Sequence, residues 1–193
     1  MTRKRAIFLD RDGVINQPCE GKRGNRPPNT PEELQVYPGV AETIAKFNGL
    51  GFLVFVVTNQ GGVGLGYMTE ETLSRIHDKL ENEVEKAGGH FTEIMACTHK
   101  PRANCNCRKP KPGMLLTLAQ KYNVDLERSY MIGDRDMDIE AGKAASTTTI
   151  LISTKGKIGH TPDHVSPNLS SAGKLIFKLE KALNNPIDNS ILT

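Results

Sequence analysis

Ala6-Ile7-Phe8-Leu9, followed without a break by Asp10-Arg11-Asp12-Gly13, is the stretch that decides how this chain folds. An unbroken apolar run, lacking the alternation of a half-exposed strand, describes a strand covered on both faces, as in parallel sheets. The abrupt change from apolar to acidic marks its carboxyl end, the edge at which open α/β sheets bind ligands. Two acids one residue apart at that edge have two readings. One is a solvated turn in which Gly13 serves the backbone. The other is a working pair, one carboxylate attacking phosphorus and the other handling a proton beside a divalent cation.

Outward from this stretch, continuous apolar runs predict further strands at residues 52–57, 93–96, 130–132 and 148–152. Helices are expected between and after them, at 38–48, 69–87, 112–122, 136–145 and 170–183. Pro38 suits a first helical turn, and Gly49 and Gly51 suit its end. Leu73, Ile76, Leu80, Val84 and Ala87 form one apolar stripe, with Glu70 and Glu71 at the positive end of that helix. Strand–helix alternation predicts an α/β fold: a doubly wound, mostly parallel, Rossmann-like sheet with helices on both faces. Residues 1–184 are expected to form one domain, with 185–193 as a flexible tail. No interval is long enough for a large inserted cap domain. The longest irregular segment, 17–37, reads as a functional lid or a mobile loop.

A length of 193 residues with 37% hydrophobic and 24% charged residues excludes wholesale disorder and collagen-like repeats. The apolar run at 52–57 is far short of the ~20 residues that span a bilayer, so no membrane association is expected. Arg3-Lys4-Arg5 resembles the start of an export signal, but the apolar stretch after it stops at Asp10; a cytoplasmic location is expected. A net charge of +3 does not argue for nucleic acid, and the absence of Trp removes the best stacking platform. A monomer acting on a small molecule is expected.

Three more sequences fall at strand ends or loops on the same side. Thr58-Asn59-Gln60-Gly61-Gly62 offers a hydroxyl and main-chain amides suited to phosphate oxygens. Gly133-Asp134-Arg135-Asp136-Met137-Asp138 adds acids, and Arg108-Lys109-Pro110-Lys111-Pro112 opens a helix where cations and free amides hold anions. Lys100 and Arg102 add to that basic neighbourhood. Gly62, Gly64 and Gly66 imitate a dinucleotide loop, but the required third glycine falls on Tyr67.

Cys97, His99, Cys105 and Cys107 supply three thiols and an imidazole within one short loop, a set that fits tetrahedral Zn²⁺. Four protein ligands leave no open position, so the expected zinc is structural and fixes the loop leading into Arg108 and Lys109. The alternative is unligated cysteines on a surface loop. Cys19 reads as a lone loop thiol, His77 as solvated, and His90, His160 and His164 as lacking a partner cluster.

Asp10-Arg11-Asp12-Gly13, Thr58-Asn59-Gln60, Lys109 and Gly133-Asp134 occur in the order of the four motifs of the haloacid dehalogenase superfamily, which the chain resembles over about residues 5–155. The resemblance implies that Asp10 is the nucleophile forming an aspartyl phosphate. It makes Asp12, the mark of the phosphatase branch, the acid for the leaving oxygen and then the base for water. Thr58 and Lys109 would hold the phosphoryl group, and Asp10, Asp134 and the main-chain carbonyl of Asp12 would hold Mg²⁺. Asp138 completes a spacing common in the superfamily, either as a ligand or beside one, whereas Asp136 reads as a helix N-terminal acid. The Cys-x-His…Cys-x-Cys loop before Arg108-Lys109-Pro110 resembles the subgroup of D-glycero-D-manno-heptose 1,7-bisphosphate phosphatases and histidinol-phosphate phosphatases. That likeness implies substrate contacts from Asn59, Gln60, Arg108 and Arg135. The stretch from Thr58 to Tyr67 is more similar to the heptose enzymes, while the long basic segment 17–37 departs from them. A binding module without catalysis would be marked by loss of Asp10, Asp12 or Lys109, and all three are present.

Overall fold

The computed structural model describes residues 2–21, 24–154 and 159–184. The expected tail at 185–193 lies outside them. Six parallel strands form one sheet in the order β3-β2-β1-β4-β5-β6. They are β1 (Ala6–Leu9), β2 (Leu53–Asn59), β3 (Glu93–Cys97), β4 (Tyr130–Gly133), β5 (Thr148–Ile152) and β6 (His164–Ser166). The chain runs outward from β1 through β2 to β3, then returns to lay β4 on the other side of β1. The gap between β1 and β4 is therefore the switch point at which doubly wound sheets bind ligands.

Among the described residues, six α-helices flank the sheet: α1 (Val40–Gly49), the single-turn α2 (Gly61–Gly64), α3 (Glu70–Glu85), α4 (Gly113–Tyr122), α5 (Asp136–Ala144) and α6 (Leu169–Asn184). Alternation along the strands divides the core. Ile7, Leu9, Val54 and Val56 meet Ile44 and Phe47 of α1, the buried stripe of α3, and Ala172 and Ile176 of α6. On the opposite face Ala6, Phe8, Phe55 and Val57 meet Met114, Leu115 and Leu118 of α4 and Ala141 of α5. Burying each Leu, Ile or Phe side chain contributes roughly 1.5–3 kcal/mol, so these two layers hold β1 rigidly where the site needs it. The α3 stripe of Leu73, Ile76, Leu80 and Val84 is buried as its spacing predicts, and the Thr69 hydroxyl accepts from the Thr72 main-chain N–H at 3.0 Å as the helix cap.

Two elements escaped the sequence. β6 has three residues, and its Val165 is exposed at the sheet edge, so it carries little apolar signal. α2 is built largely of glycine, the residue least suggestive of a helix. β2 also runs two residues further than expected, which makes Thr58 and Asn59 strand residues rather than loop residues.

Segment 17–37 holds structure of its own. Cys19 and Arg26 exchange main-chain hydrogen bonds of 2.8 and 2.9 Å, and a 3₁₀ turn spans Pro31–Glu33. The Arg26 guanidinium donates to both Glu33 oxygens at 2.8 and 2.5 Å and to the Pro27 carbonyl at 3.1 Å. With the Asn29 main-chain N–H, it holds the Glu33 carboxyl down at about 2. Among the described residues, no helix is long and apolar enough to cross a membrane.

Candidate active site and metal centres

The carboxyl ends of β1 and β4 deliver Asp10 and Asp134, and the first turn of α5 delivers Asp138. One oxygen from each of the three lies within 4.8 Å of the others. Such closeness depends on two glycines. A Cβ on Gly13, whose φ is +90°, would stand 2.3 Å from Asp134 Oδ2, and one on Gly133 would stand 2.1 Å from the Asp138 Cβ. Lys109, 1% exposed, reaches into the group from the turn before α4, with Nζ 2.8 Å from Asp10 Oδ1 and 2.5 Å from Asp138 Oδ1.

This cluster carries more negative than positive charge. Burial, reinforced by Asp138 and Asp12 and opposed by Lys109, pushes Asp10 up to about 7. Burial and then Asp138 push Asp134 up to about 6. Burial alone would lower Lys109, but Asp10 and Asp138 outweigh it and raise the ammonium above its ordinary value. Three carboxylates face the Lys109 ammonium and, 3.8 Å from Asp134 Oδ1, the more exposed Arg135 guanidinium, so acid outnumbers base, and the buried Asp134 Oδ1 has no hydrogen-bond partner. An all-oxygen donor set, an excess of negative charge and a buried oxygen without a hydrogen bond fit a hard divalent cation such as Mg²⁺.

Asp12 belongs to a different set of contacts. Its carboxylate accepts from Arg11 Nη2 at 3.0 and 3.1 Å, from Asn16 Nδ2 at 3.1 Å and from Gln60 Nε2 at 2.8 Å. Gln60 also donates at 2.8 Å to the Thr58 hydroxyl. That hydroxyl spends an acceptor on Gln60, so its own proton remains to be donated. Asn59 binds the backbone of Lys109 at two points, donating to its carbonyl at 3.0 Å and accepting from its N–H at 3.1 Å. Asp10, Asp12, Thr58, Asn59, Lys109, Arg135 and Asp138, with Pro27 and Met137, enclose a cavity of about 60 Å³. The strap at 17–37 thus forms one wall through Pro27.

The expected substrate residues do not share one arrangement. Arg135 is exposed and borders that cavity. Arg108 lines a neighbouring space of about 350 Å³ with Arg102 and Lys111, and its buried Nη1 has no hydrogen-bond partner. Gln60 has no exposed surface, so it faces Asp12 and Thr58 rather than the open cavity. His77, expected to be solvated, is instead half-buried against Arg11 at 3.2 Å. Arg11 and Asn16 were missed altogether; the only hint was a charged residue lodged between two acids at a strand end.

The second cluster hangs from the end of β3. Cys97 Sγ lies 3.6 Å from His99 Nδ1 and from Cys105 Sγ, and Cys107 Sγ lies 3.3 Å from both Cys97 Sγ and His99 Nδ1. A tetrahedral Zn²⁺ with Zn–S of about 2.3 Å and Zn–N of about 2.0 Å has S···S edges near 3.8 Å and S···N edges near 3.5 Å. The observed spacings are close to these and far too long for disulfides. Burial and the neighbouring sulfurs push Cys107 up to about 12, whereas Cys105, although burial opposes it, is lowered by hydrogen bonds from the Arg108 main chain and the same sulfurs. The donor set fits zinc and is complete at four. The α2 turn seats this loop: Gln60 N–H donates to the Cys97 carbonyl at 2.8 Å and Gly64 N–H to the Thr98 carbonyl at 3.0 Å.

Known proteins resemble this chain in sequence and in fold. A family model described as "HAD-hyrolase-like" matches residues 106–172. The D-glycero-beta-D-manno-heptose-1,7-bisphosphate 7-phosphatase of Pseudomonas putida is 38% identical over 77% of this chain and 82% of its own. The protein of that name from Rhodopseudomonas palustris is 39% identical over 74% and 80%. Among solved structures, the D,D-heptose 1,7-bisphosphate phosphatase of B. bronchiseptica, complexed with magnesium and phosphate, superimposes with a TM-score of 0.81 at 30% identity, covering 91% of this chain and 99% of that one. Fold, motif order and these likenesses together make the chain a member of the haloacid dehalogenase superfamily, in the phosphatase group that includes the heptose bisphosphate phosphatases.

Proposed function

We propose that this protein is a Mg²⁺-dependent phosphomonoesterase that removes the C7 phosphate of D-glycero-D-manno-heptose 1,7-bisphosphate through an aspartyl-phosphate intermediate. The observation that carries the reading is the meeting of Asp10, Asp134 and Asp138 with buried Lys109 on the switch-point edge, where Asp10, Asp138 and Lys109 line one small cavity. The names of the relatives supply the sugar.

In the first step an Asp10 carboxylate oxygen forms a bond to phosphorus while the bond from phosphorus to the C7 oxygen breaks, and Asp12 gives that oxygen its proton. In the second, water attacks the phosphoryl group, Asp12 takes the water's proton, and Asp10 is released. Lys109 and the Thr58 hydroxyl hold phosphoryl oxygens. Asn59 fixes the main chain of Lys109, and Gln60 aligns Thr58 with Asp12. Asp10, Asp134, Asp138 and the Asp12 carbonyl would hold Mg²⁺, which offsets the repulsion between phosphate and carboxylates. Cys97, His99, Cys105 and Cys107 would hold a structural zinc that steadies Arg108 and Lys109. Arg135 at the cavity and Arg108 in the neighbouring space would contact the rest of the substrate.

The same reading takes residues 1–184 as one capless domain, monomeric and cytoplasmic, serving a small phosphorylated sugar and neither nucleic acid nor membrane. Parallel phosphate-release assays on the heptose bisphosphate and on histidinol phosphate test it. Preference for the heptose is expected, and equal weak turnover of both would defeat the assignment.

A further inference from the structure

Arg11 has no exposed side-chain surface, and no step above uses it. A buried guanidinium is costly unless its donors are satisfied. Here each nitrogen has a partner: Nη2 donates to both Asp12 oxygens at 3.0 and 3.1 Å, Nε to Oδ1 at 3.3 Å, and Nη1 faces His77 Nε2 at 3.2 Å. His77 comes from α3, on a different element from either acid. Burial and then the adjacent Arg11 hold its imidazole down at about 4, so near neutral pH the ring is uncharged and its Nε2 can accept from the guanidinium. With Asn16 and Gln60 also donating to it, the Asp12 carboxylate is held from three directions at the wall of the phosphate cavity.

We infer that Arg11, braced by His77, is the positioning residue that aims the Asp12 carboxyl at the leaving oxygen. The inference rests on the phosphatase reading above. As the bond from phosphorus to the leaving oxygen breaks, its electron pair stays on that oxygen, and the Asp12 proton neutralises it. An alkoxide needs that proton far more than a nitrophenolate does, so misplacing Asp12 must penalise alkyl phosphates selectively.

The test compares kcat/KM, which reports the steps up to alcohol release, on glycerol phosphate and on p-nitrophenyl phosphate. Arg11→Met is expected to lose about 100-fold on glycerol phosphate and less than about threefold on p-nitrophenyl phosphate. His77→Leu, which leaves Arg11 in place, should show a smaller loss of the same selectivity, and His77→Gln, which restores an acceptor, should recover most of it. Equal losses on both substrates, or no difference between the Leu and Gln variants, would overturn the inference. Should Arg11→Met fail to fold, the His77 pair decides alone. A wild-type protein inactive on every phosphate ester would instead overturn the phosphatase reading and this inference with it, an outcome recognisable without any variant.

Discussion

The carboxylate cluster and the thiol cluster stand on the same sheet edge and flank the same segment, yet they are built for opposite ends. Asp10, Asp134 and Asp138 are contributed by separate elements, leave the buried Asp134 Oδ1 without a hydrogen-bond partner, and through Asp10 and Asp138 border a cavity. Cys97, His99, Cys105 and Cys107 come from one loop and form a complete tetrahedral set. An incomplete hard-donor set keeps room for substrate oxygen, whereas a complete soft-donor set can only cross-link the chain. The first should therefore govern rate and the second stability, with Lys109, two residues after Cys107, coupling them.

The sharpest way to break this contrast is Asp10→Asn. Loss of the nucleophile should reduce turnover by about 1,000-fold or more while circular dichroism and Tm stay close to wild type; a large fall in Tm would mean the carboxylate cluster is structural after all. Lys109→Met comes next. It strands the Asp10 and Asp138 carboxylates in a buried setting, which should abolish activity and cost about 3–5 kcal/mol of stability in denaturant unfolding.

Cys107→Ser tests the other side. Removing one zinc ligand should lower stability by about 2 kcal/mol or more, several degrees in Tm, and protein purified without added metal should contain close to one zinc per chain before the substitution and much less after it. Full stability and activity in a zinc-free protein would remove the structural-zinc argument.

A further test concerns pH. Asp10 and Asp134 are raised to about 7 and about 6 without a cation, so each holds its proton below those values and must release it to bind Mg²⁺. Apparent Mg²⁺ affinity, read by isothermal titration, should therefore weaken as pH falls through 7 to 5, by roughly tenfold per unit for each proton displaced. Affinity independent of pH over that range would place the ion elsewhere.

What the sequence discloses here follows the distance over which the information is held. The acids after β1 and β4 are legible because a strand end and its carboxylates are adjacent in the chain, and the thiol loop because all its ligands lie within a few residues. The partners of Asp12 are not. Gln60 stands 48 residues away and is brought in by the pairing of β2 with β1, and the contact between Arg11 and His77 spans 66 and needs α3 packed against the sheet. Gln60 shows the consequence: its motif announces a place at the site, but its burial turns it toward Asp12 and Thr58 rather than outward. Asp138 is intermediate, since its spacing from Asp134 is visible but its ion pair with Lys109 depends on the crossover into α4.

The central claim is that Asp10 receives the phosphoryl group. Rapid acid quench of the Mg²⁺-loaded protein during turnover, followed by peptide mass spectrometry, tests it most directly. The account predicts one added phosphoryl group on the peptide carrying Asp10, absent in Asp10→Asn. Sustained phosphate release by the Asp10→Asn variant, or a phosphoryl group trapped on a different residue, would contradict it.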